Sequence, residues 1–377
     1  MTSKKILCVT GTRADYGIFR PLLFSLKQEK AINLQLVVTG MHLLEEYGYT
    51  IEAIYRDNFQ VAATPSILFK GDSTLSMSQA AGMGILYFAD VFDREKPDGV
   101  LLLGDRGEML AAAVACHYQN IPTFHLHGGE VSGSADDRVR HAISKLSMYH
   151  FVSTHDSKKR LIAMGEDAEN IIVSGSLRKH DIQSLAGKEP MLKAQLKDKL
   201  NYDQLNDLII LAMHPDTKEV SVNYKDQVNA VLAALLSLGS IKVVVIGTNS
   251  DAGGNVFREQ VRTYLTTNPN ARYIESMTSD EYLYLLSQAR VLLGNTSSGI
   301  IEAPFLKLPF INIGDRQRNR ESGDNVIHLD YNIKRIESTI RTIKDSKREF
   351  TVNPYDIVDS PAELITAKIK QWITLMN

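Results

Sequence analysis

Short apolar runs alternate with longer stretches of helical periodicity along almost the whole chain. Many of the runs are apolar throughout, as parallel strands are when helices cover both faces of the sheet. The predicted strands are Lys5–Thr10, Leu34–Thr39, Gly99–Leu103, Thr123–His127, Tyr149–Ser153, Ile171–Ser174, Leu208–Met213, Lys242–Ile246, Arg272–Glu275, Val291–Gly294, Phe310–Ile313 and Val326–Leu329. Helical spacing of apolar residues predicts helices at Gln79–Lys96, Glu108–Gln119, Asp226–Leu238 and Ser279–Ala289. This repetition of strand and helix predicts an α/β fold with doubly wound parallel sheets.

The predicted strands fall into two sets, one ending near Gly175 and the other beginning near Leu208. The stretch 179–207 between them is dense in charged residues and predicts a linker followed by an amphipathic surface helix. We therefore expect two Rossmann-like domains with a cleft between them, formed by residues 1–176 and 177–359. The last segment, 360–377, has apolar residues at helical spacing and predicts a closing helix.

Composition excludes several classes of protein. The chain has 377 residues, 44% of them hydrophobic and 23% charged, which is ordinary for a globular protein of two domains. The net charge of −2 provides no general basic field for nucleic acid. No apolar run approaches the ~20 residues that a membrane helix needs, and the first residues lack a signal-peptide core. Cys8 and Cys116 lie in apolar runs and are expected in the core. We expect a cytoplasmic protein with no membrane or nucleic-acid partner.

Polar motifs follow the strands of the first half, where ligands collect in open parallel sheets. Arg13 lies in Gly11–Gly17, and its guanidinium, with the N–H groups of a helix start, suits a phosphate; an ordinary strand–helix turn is the alternative. His42 follows the second strand, although a single histidine is more often structural. Asp105 and Arg106 follow the next strand, where Asp105 is either a site residue or a helix cap.

The stretch from His125 to Glu130 carries a denser set of reactive side chains. His125 and His127 are predicted to share one face of a strand, and two glycines then free the backbone to bring Glu130 to the strand end. More polar residues follow on the next helix, namely Asp136, Asp137, Arg138, Arg140 and His141. Such a cluster suits metal-dependent hydrolysis or acid–base chemistry on a sugar, and two buried structural histidines are a third interpretation. No helical metal motif is present, so we favour metal-free chemistry.

The second half has its own polar strand ends. His214 follows one strand, and Asn249 lies in the glycine-rich loop after the next. A hydroxyl-rich loop, Thr296, Ser297 and Ser298, leads into a short helix and suits an anion, with a plain helix cap as the alternative. Glu302 follows within about one helical turn and could accept hydrogen bonds from a ribose. Arg316 begins an arginine-rich run that is either a solvated loop or a diphosphate-binding element.

Together these motifs resemble the hydrolysing branch of the UDP-N-acetylglucosamine 2-epimerase family. The resemblance runs from Gly11 to about Asn325 and rests on GTRADYG, VTGMHL, GDR, HGGEVSG, SADDRVRHAISKLS, the His-Pro pair at 214–215, GNTSSG and INIGDRQ. It implies conversion of UDP-N-acetylglucosamine and water to N-acetylmannosamine and UDP for sialic acid synthesis. It also implies a glycosyltransferase-B-like architecture, a closing helix that packs on the first domain, no metal or other cofactor, and a homodimer or homotetramer.

The resemblance assigns provisional roles to individual residues. It assigns acid–base chemistry on the sugar to His42, Asp105, Glu130 and Asp136, with Arg106 and Arg140 as supporting residues. It assigns UDP binding to Arg13, His214, Asn249, Thr296, Ser297, Ser298, Glu302 and Arg316. Loss of UDP would acidify the C2–H bond of the sugar, and removal of that proton gives a 2-acetamidoglucal that water then attacks. Which carboxylate acts as the base stays open.

Four other functions remain possible at this stage. The same reaction on UDP-2,4-diacetamido-2,4,6-trideoxyglucose, for legionaminic acid synthesis, differs only in the groups at C4 and C6 of the sugar. A retaining UDP-sugar glycosyltransferase would need an acceptor other than water. A silent UDP-sugar sensor would bind UDP without turnover, and a metallohydrolase would lose activity with a chelator.

Overall fold

The computed structural model describes residues 3–68, 74–132, 136–214, 223–247, 254–275, 277–345 and 349–375. The chain divides into two compact units. The first unit comprises residues 1–131, 135–180 and 357–377, and the second comprises 132–134 and 181–356.

Each unit contains one sheet whose strands are all parallel. The first sheet has seven strands in the order β3-β2-β1-β4-β5-β6-β7, and the second has six in the order β10-β9-β8-β11-β12-β13. The strands are β1 Lys4–Thr10, β2 Ile32–Val38, β3 Val61–Ala63, β4 Gly99–Leu103, β5 Thr123–Leu126, β6 Tyr149–Val152, β7 Ile171–Val173, β8 Leu208–Ala212, β9 Lys242–Ile246, β10 Ala271–Ile274, β11 Ala289–Gly294, β12 Phe310–Ile313 and β13 Val326–Leu329. All twelve predicted strands are present with small shifts at their ends, so the predicted parallel α/β units are confirmed. The additional strand, β3, is a short and only half-buried edge strand with no apolar run to reveal it.

Helices connect successive strands. They are α1 Arg13–Gln28, α2 Ile51–Arg56, α3 Thr74–Glu95, α4 Gly107–Tyr118, α5 Asp136–Leu146, α6 His155–Ala163, α7 Arg178–Gln183, α8 Glu189–Leu200, α9 Tyr224–Leu236, α10 Gly254–Thr267, α11 Ser279–Gln288, α12 Ser298–Ile301, α13 Ile333–Asp345 and α14 Pro361–Leu375. The predicted amphipathic helix is α8, which buries Leu192, Leu196 and Leu200 along one face. The stretch before it, expected to be a linker, also holds the short helix α7.

The closing helix α14 packs within the first unit. Its apolar face, which includes Ile369 and Trp372, joins the core cluster that α1 and the strands form. The indole of Trp372 stacks on Tyr149 with ring centroids 4.1 Å apart and on Phe124 at 6.2 Å. Large flat aromatic contacts of this kind bury much apolar area, which explains why the last helix of the chain belongs to the first unit.

The strand order creates one special position in each sheet. The chain builds outward from β1 to β3 and then returns to place β4 on the other side of β1; β8 and β11 are related in the same way. Loops that leave two such neighbouring strands turn in opposite directions, so a crevice opens at their carboxyl ends. The polar motifs after β1, β4, β8 and β11 therefore lie at the positions where sheets of this order bind ligands.

Two further expectations can be compared with the fold. Cys8 and Cys116 are buried and unbridged, which confirms their prediction as core residues. Within the described ranges, no helix combines the length and the apolar character needed to cross a membrane.

Candidate active site

An arginine joins the carboxyl ends of β4 and β5. Arg140, on α5, is only 4% exposed, and its guanidinium forms an ion pair with Asp105 after β4. The same guanidinium donates through Nη1 to the backbone oxygen of Glu130, at 3.0 Å, and contacts the Asp137 carboxylate at 3.4 Å. Three segments that are distant in sequence thus meet at one buried cation. Arg140 was expected to be a supporting residue, and the structure gives it these contacts.

The Glu130 carboxylate is held by two polar side chains. Its Oε1 accepts a hydrogen bond from the Ser153 hydroxyl at 2.8 Å and lies 3.0 Å from Nδ1 of His127. Glu130 itself is 7% exposed. Ser153, directly after β6, was not singled out from the sequence, although its position as the last residue of a predicted strand was a usable clue. Glu130 therefore has a fixed orientation with an imidazole beside it for proton exchange.

The two histidines of this segment do not share a strand face, so that prediction is wrong. Strand β5 ends at Leu126, and His127 follows with a φ of 62°, which turns its side chain out of the strand alternation. His125 is fully buried, with Nε2 2.8 Å from the Gly104 carbonyl and Nδ1 3.1 Å from the Ser144 hydroxyl. Burial lowers the pKa of His125 to about 3. His125 is thus a neutral core residue, whereas His127 belongs to the site.

The loop after β1 is organised around Asp15, a residue that no sequence motif had pointed to. Thr12 caps α1, and Asp15 completes a capping box three residues later. The Asp15 carboxylate accepts from the backbone N–H groups of Gly11, at 3.1 Å, and Thr12, at 3.0 Å. Two N–H groups that had been considered for phosphate binding are therefore already used within the protein. Arg13 is exposed at the first helical position, so its guanidinium is the part of this motif that can meet a phosphate.

Charged side chains from the next strand end, the exposed Arg106 and the buried Glu108, lie beside this loop. Arg106 donates through Nε to Glu108 at 2.6 Å, and the Glu108 carboxylate presses against Gly11, where a Cβ would lie 2.2 Å from Oε1. Burial raises the pKa of Asp15 to about 6; the Thr10 hydroxyl opposes this shift, and the Glu108 charge adds to it. The N-cap of α4 is Arg106 rather than Asp105, so the capping interpretation of Asp105 is wrong.

His42 and Asp136, two of the residues predicted for the sugar chemistry, differ in exposure. His42 is fully buried, with Nε2 3.0 Å from the Thr10 hydroxyl and Nδ1 2.7 Å from the Thr50 hydroxyl. Burial lowers its pKa to about 4, so the imidazole is neutral at pH 7. Asp136 is exposed at the start of α5, and its neighbour Asp137 contacts Arg140.

The second unit has a corresponding junction between β8 and β11. The Asn295 side chain bonds both the backbone nitrogen of His214, at 2.7 Å, and its backbone oxygen, at 2.8 Å. Gly294 has a φ of 133°, and a Cβ there would lie 2.0 Å from the Ala212 oxygen, so only glycine fits. Arg316 donates to the Asn295 carbonyl at 3.2 Å. The loops that carry His214, Asn295 and Arg316 thus converge at one edge of the sheet.

The hydroxyl-rich loop lies at this edge as predicted. Thr296 is buried, and Ser297 and Ser298 are half-buried beside it. The following helix, α12, is a single turn of four residues, so its dipole is weak and the hydroxyl and N–H groups themselves must supply most of any attraction for an anion. Glu302 is half-buried directly after this turn. Asn249 lies outside the described residues.

Across the ranges that the structure describes, no group of three or more histidine, cysteine or acidic side chains is placed to hold a metal ion.

The architecture and motifs can now be compared with known proteins. Residues 25–369 match a family model described as UDP-N-acetylglucosamine 2-epimerase. The chain belongs to the UDP-N-acetylglucosamine 2-epimerase family. This epimerase family includes a Legionella pneumophila subsp. pneumophila protein named UDP-N,N'-diacetylbacillosamine 2-epimerase (hydrolyzing), which is 42% identical over 90% of this chain and 88% of its own length. A Neisseria meningitidis serogroup B UDP-N-acetylglucosamine 2-epimerase is 34% identical over 90% of this chain and 87% of its own.

A solved structure supports the same fold. The UDP-GlcNAc 2-epimerase from Neisseria meningitidis, bound to UDP-GlcNAc, superposes with a TM-score of 0.83 at 21% identity and covers 97% of this chain and 100% of that one. This likeness confirms the predicted glycosyltransferase-B-like fold class.

Proposed function

We propose that this epimerase-family protein is a hydrolysing 2-epimerase of a UDP-linked 2-acetamido sugar. The observation that carries the proposal is the Asp105–Arg140–Glu130 cluster at the carboxyl ends of neighbouring strands, in which Arg140 is buried. Two carboxylates, one bound by Arg140 and the other by Ser153 and His127, suit a reaction that develops positive charge on a sugar and moves a proton. Membership of the epimerase family supplies the nucleotide-sugar class of substrate.

The proposed reaction begins at the bond between C1 and the diphosphate. C2–H is not acidic in the substrate, because C1 is an acetal carbon rather than a carbonyl. As UDP departs with the bonding electrons, positive charge at C1 acidifies C2–H, and a carboxylate takes that proton to leave a 2-acetamidoglucal. Water then adds its oxygen to C1 while a proton returns to C2 from the opposite face, which gives the free manno-configured sugar and UDP.

Contacts within the cluster suggest a division of labour. Asp105 is bound to a buried guanidinium, so we assign it the task of stabilising positive charge at C1 and keeping Arg140 in place. Glu130 has His127 at 3.0 Å, and this imidazole can accept a proton and return it. We therefore assign proton removal at C2 to Glu130. Asp136, expected to share this chemistry, stays a prediction, and Asp137 is the better-placed acid.

We assign binding of the nucleotide to the loops at the carboxyl ends of the strands. In this proposal Arg13 neutralises charge on the departing diphosphate, and Arg316 does the same from the loop after β12. His214 and the hydroxyls of residues 296–298 surround the phosphates, while Glu302 accepts from the ribose. Asn249 is also assigned to UDP from the resemblance alone.

Two sugars are candidates. The relative of 42% identity is named for UDP-N,N'-diacetylbacillosamine, which is the UDP-2,4-diacetamido-2,4,6-trideoxyglucose considered from the sequence. We propose this sugar as the first candidate substrate. UDP-N-acetylglucosamine, the substrate expected from the motifs, is the second candidate, supported by the relative of 34% identity.

The test uses each UDP-sugar separately in heavy water, with NMR of the products. We expect equal amounts of UDP and a free manno-configured sugar with deuterium at C2, and faster turnover for the diacetamido sugar. An unlabelled gluco-configured product would mean simple hydrolysis, and an epimerised sugar still bound to UDP would mean the non-hydrolysing reaction. Loss of activity with a chelator would favour a metallohydrolase instead.

We also propose a homodimer or homotetramer. Large apolar side chains on the packed helices α3 and α4 are exposed, among them Leu75 at 65%, Leu86 at 63% and Tyr118 at 81%. Leu75 and Leu86 lie about three helical turns apart and so share one side of α3. A second copy of the chain that covers this side would remove apolar surface from water. Sedimentation of the protein and of a Leu86→Lys variant tests this, since a monomeric wild type would contradict it.

A further inference from the structure

A line of hydrogen bonds runs behind the loops that follow β1 and β2. The Asp15 carboxylate accepts from the Thr10 hydroxyl, and the same hydroxyl lies 3.0 Å from Nε2 of His42. On the other side of the ring, Nδ1 lies 2.7 Å from the Thr50 hydroxyl. Asp15, Thr10 and His42 are all buried, so water cannot replace a missing partner at low cost.

The chemistry of the donors gives this line a direction. An ionised carboxylate only accepts, so the one hydroxyl proton of Thr10 must point to Asp15. The Thr10 oxygen can then only accept from His42, which places the ring proton on Nε2. Nδ1 is left bare and accepts from the Thr50 hydroxyl. The Asp15 carboxylate, acting through Thr10, thus favours the tautomer of a buried, neutral imidazole that carries hydrogen on Nε2.

We propose that Asp15 is a positioning residue that holds His42 in its Nε2–H tautomer and thereby fixes the two loops that border the active site. Backbone bonds link the same loops, from Thr39 N to Thr10 O at 2.9 Å and from His42 N to Gly11 O at 3.3 Å. Gly40 has a φ of 62°, and a Cβ there would lie 2.8 Å from the Gly11 oxygen. Arg13 emerges directly from this tied segment. The consequence for catalysis rests on the proposed function, whereas the tautomer does not.

The charged and titratable groups around Asp15 come from several elements. Glu108 on α4 raises its pKa and Arg106 lowers it, while the buried Cys8 thiol on β1 has its own pKa raised by burial and by Asp15. Protonation of Asp15 would supply a donor to Thr10. The Thr10 hydroxyl could then donate to Nε2, and the ring would change to the Nδ1–H tautomer with Thr50 as its acceptor. The direction of the whole line therefore depends on one proton.

Asp15→Asn tests the inference with almost no change in shape. Its amide oxygen would face the N–H groups of Gly11 and Thr12, as Oδ2 does now, so its NH₂ group would face Thr10 and reverse the line. Two-bond ¹H–¹⁵N spectra of protein with ¹⁵N-labelled histidines distinguish the unprotonated ring nitrogen from the protonated one. The signals of His42 are identified as those that disappear from the spectrum of the His42→Gln variant. We expect a bare Nδ1 in the wild type at pH 8 and a bare Nε2 in Asp15→Asn.

Asp57→Asn is the matched control, because Asp57 also accepts a hydrogen bond from α1, through the Tyr16 hydroxyl at 2.6 Å, but stands outside the line. It should keep a bare Nδ1. A wild type with a bare Nε2, or an Asp15→Asn variant with an unchanged tautomer, would overturn the proposal. Should Asp15→Asn not fold, the wild type at pH 5 must show the reversed tautomer, and an unchanged spectrum there would equally refute it.

A kinetic measurement connects the tautomer to the reaction. Asp15→Asn should lower kcat by about tenfold, because the reversed line no longer fixes the loop that carries Arg13, whereas the Kd of UDP should stay within about twofold because the other residues assigned to UDP lie in the second unit. A wild-type kcat together with a reversed tautomer would refute the positioning role. If neither UDP-sugar is turned over by the wild type, the proposed function fails and the NMR result still decides the tautomer.

Discussion

Replacement of Arg140 by lysine separates the charge of this residue from its shape. The guanidinium contacts Asp105, Asp137 and the Glu130 carbonyl at once, in three directions. Arginine binds these acceptors through two separate nitrogens, whereas a lysine keeps one positive charge but places all its donors on one nitrogen, which cannot occupy both positions. We therefore expect Asp105 and Glu130 to lose their mutual alignment while the net charge stays the same.

The size of the effect follows from burial. The Arg140 side chain is 5% exposed, but those of Asp105 and Asp137 are 25% and 17% exposed, so water partly compensates them. Complete loss of one partner of a fully buried ion pair costs about 3–5 kcal/mol. Because Arg140→Lys keeps the positive charge and because Asp105 and Asp137 are partly exposed to water, we expect it to lower the free energy of unfolding by about 1–3 kcal/mol. Misplacement of reacting groups by about 1 Å lowers rates by roughly 100-fold, so kcat should fall by about that factor.

The assay measures UDP release at saturating sugar and the thermal unfolding midpoint on the same preparation. Arg20→Lys is the control, because Arg20 also pairs with a carboxylate through two nitrogens, at 2.7 and 2.8 Å from Asp57, yet is 45% exposed. It should cost less than about 1 kcal/mol and leave kcat unchanged. An Arg140→Lys variant with a normal midpoint and a kcat within about threefold of wild type would refute the reasoning.

Three further predictions concern other parts of the molecule. Glu130→Gln and Asp105→Asn should each lower kcat by at least ~100-fold with an unchanged Kd for UDP by calorimetry; near-normal rates in both would remove them from the mechanism. Gly294→Ala should destabilise the protein by at least about 2 kcal/mol, because the new Cβ would lie 2.0 Å from a backbone oxygen. Gly17→Ala, inside α1 with open space around it, should instead stabilise the protein by about 0.5–1 kcal/mol. Equal shifts of the thermal unfolding midpoint in the two variants would contradict this. Acidification from pH 7 to 5 should lower the free energy of unfolding through His125. Its pKa of about 3 keeps it unprotonated in the folded state, whereas in the unfolded chain the same histidine binds a proton below about pH 6.5. Between pH 6.5 and 3, each pH unit lowers the contribution of His125 to the free energy of unfolding by roughly 1.4 kcal/mol. His125→Gln should therefore reduce the dependence of the unfolding free energy on pH, as measured by denaturant titrations. The same dependence in the wild type and the variant would contradict this prediction.

The sequence was sufficient for nearly all of the strands and for the places where polar residues cluster. Strands covered on both faces must be apolar throughout, so twelve of them were visible as runs and only the short edge strand β3 was missed. Because every strand is parallel, polar residues directly after a run lie at one edge of a sheet. That reasoning located Asp105, Glu130 and Arg316 without any three-dimensional information.

Contacts between distant segments needed the tertiary structure. Ser153 reaches Glu130 across neighbouring strands, and Arg140 on α5 reaches Asp105 after β4, and no periodicity along the chain specifies either pairing. His127 left the strand through a positive φ that a histidine rarely adopts, so counting positions along the strand misplaced it.

Local pattern thus determined what each segment is, and packing decided what each segment touches. The distinction has a physical origin. Apolar periodicity records whether a residue is buried, which is a property of that residue and its neighbours in sequence. The order of the strands, the junctions beside β1 and β8, and the partner of Asp15 depend on how helices pack across the sheets, a property that the whole chain settles together.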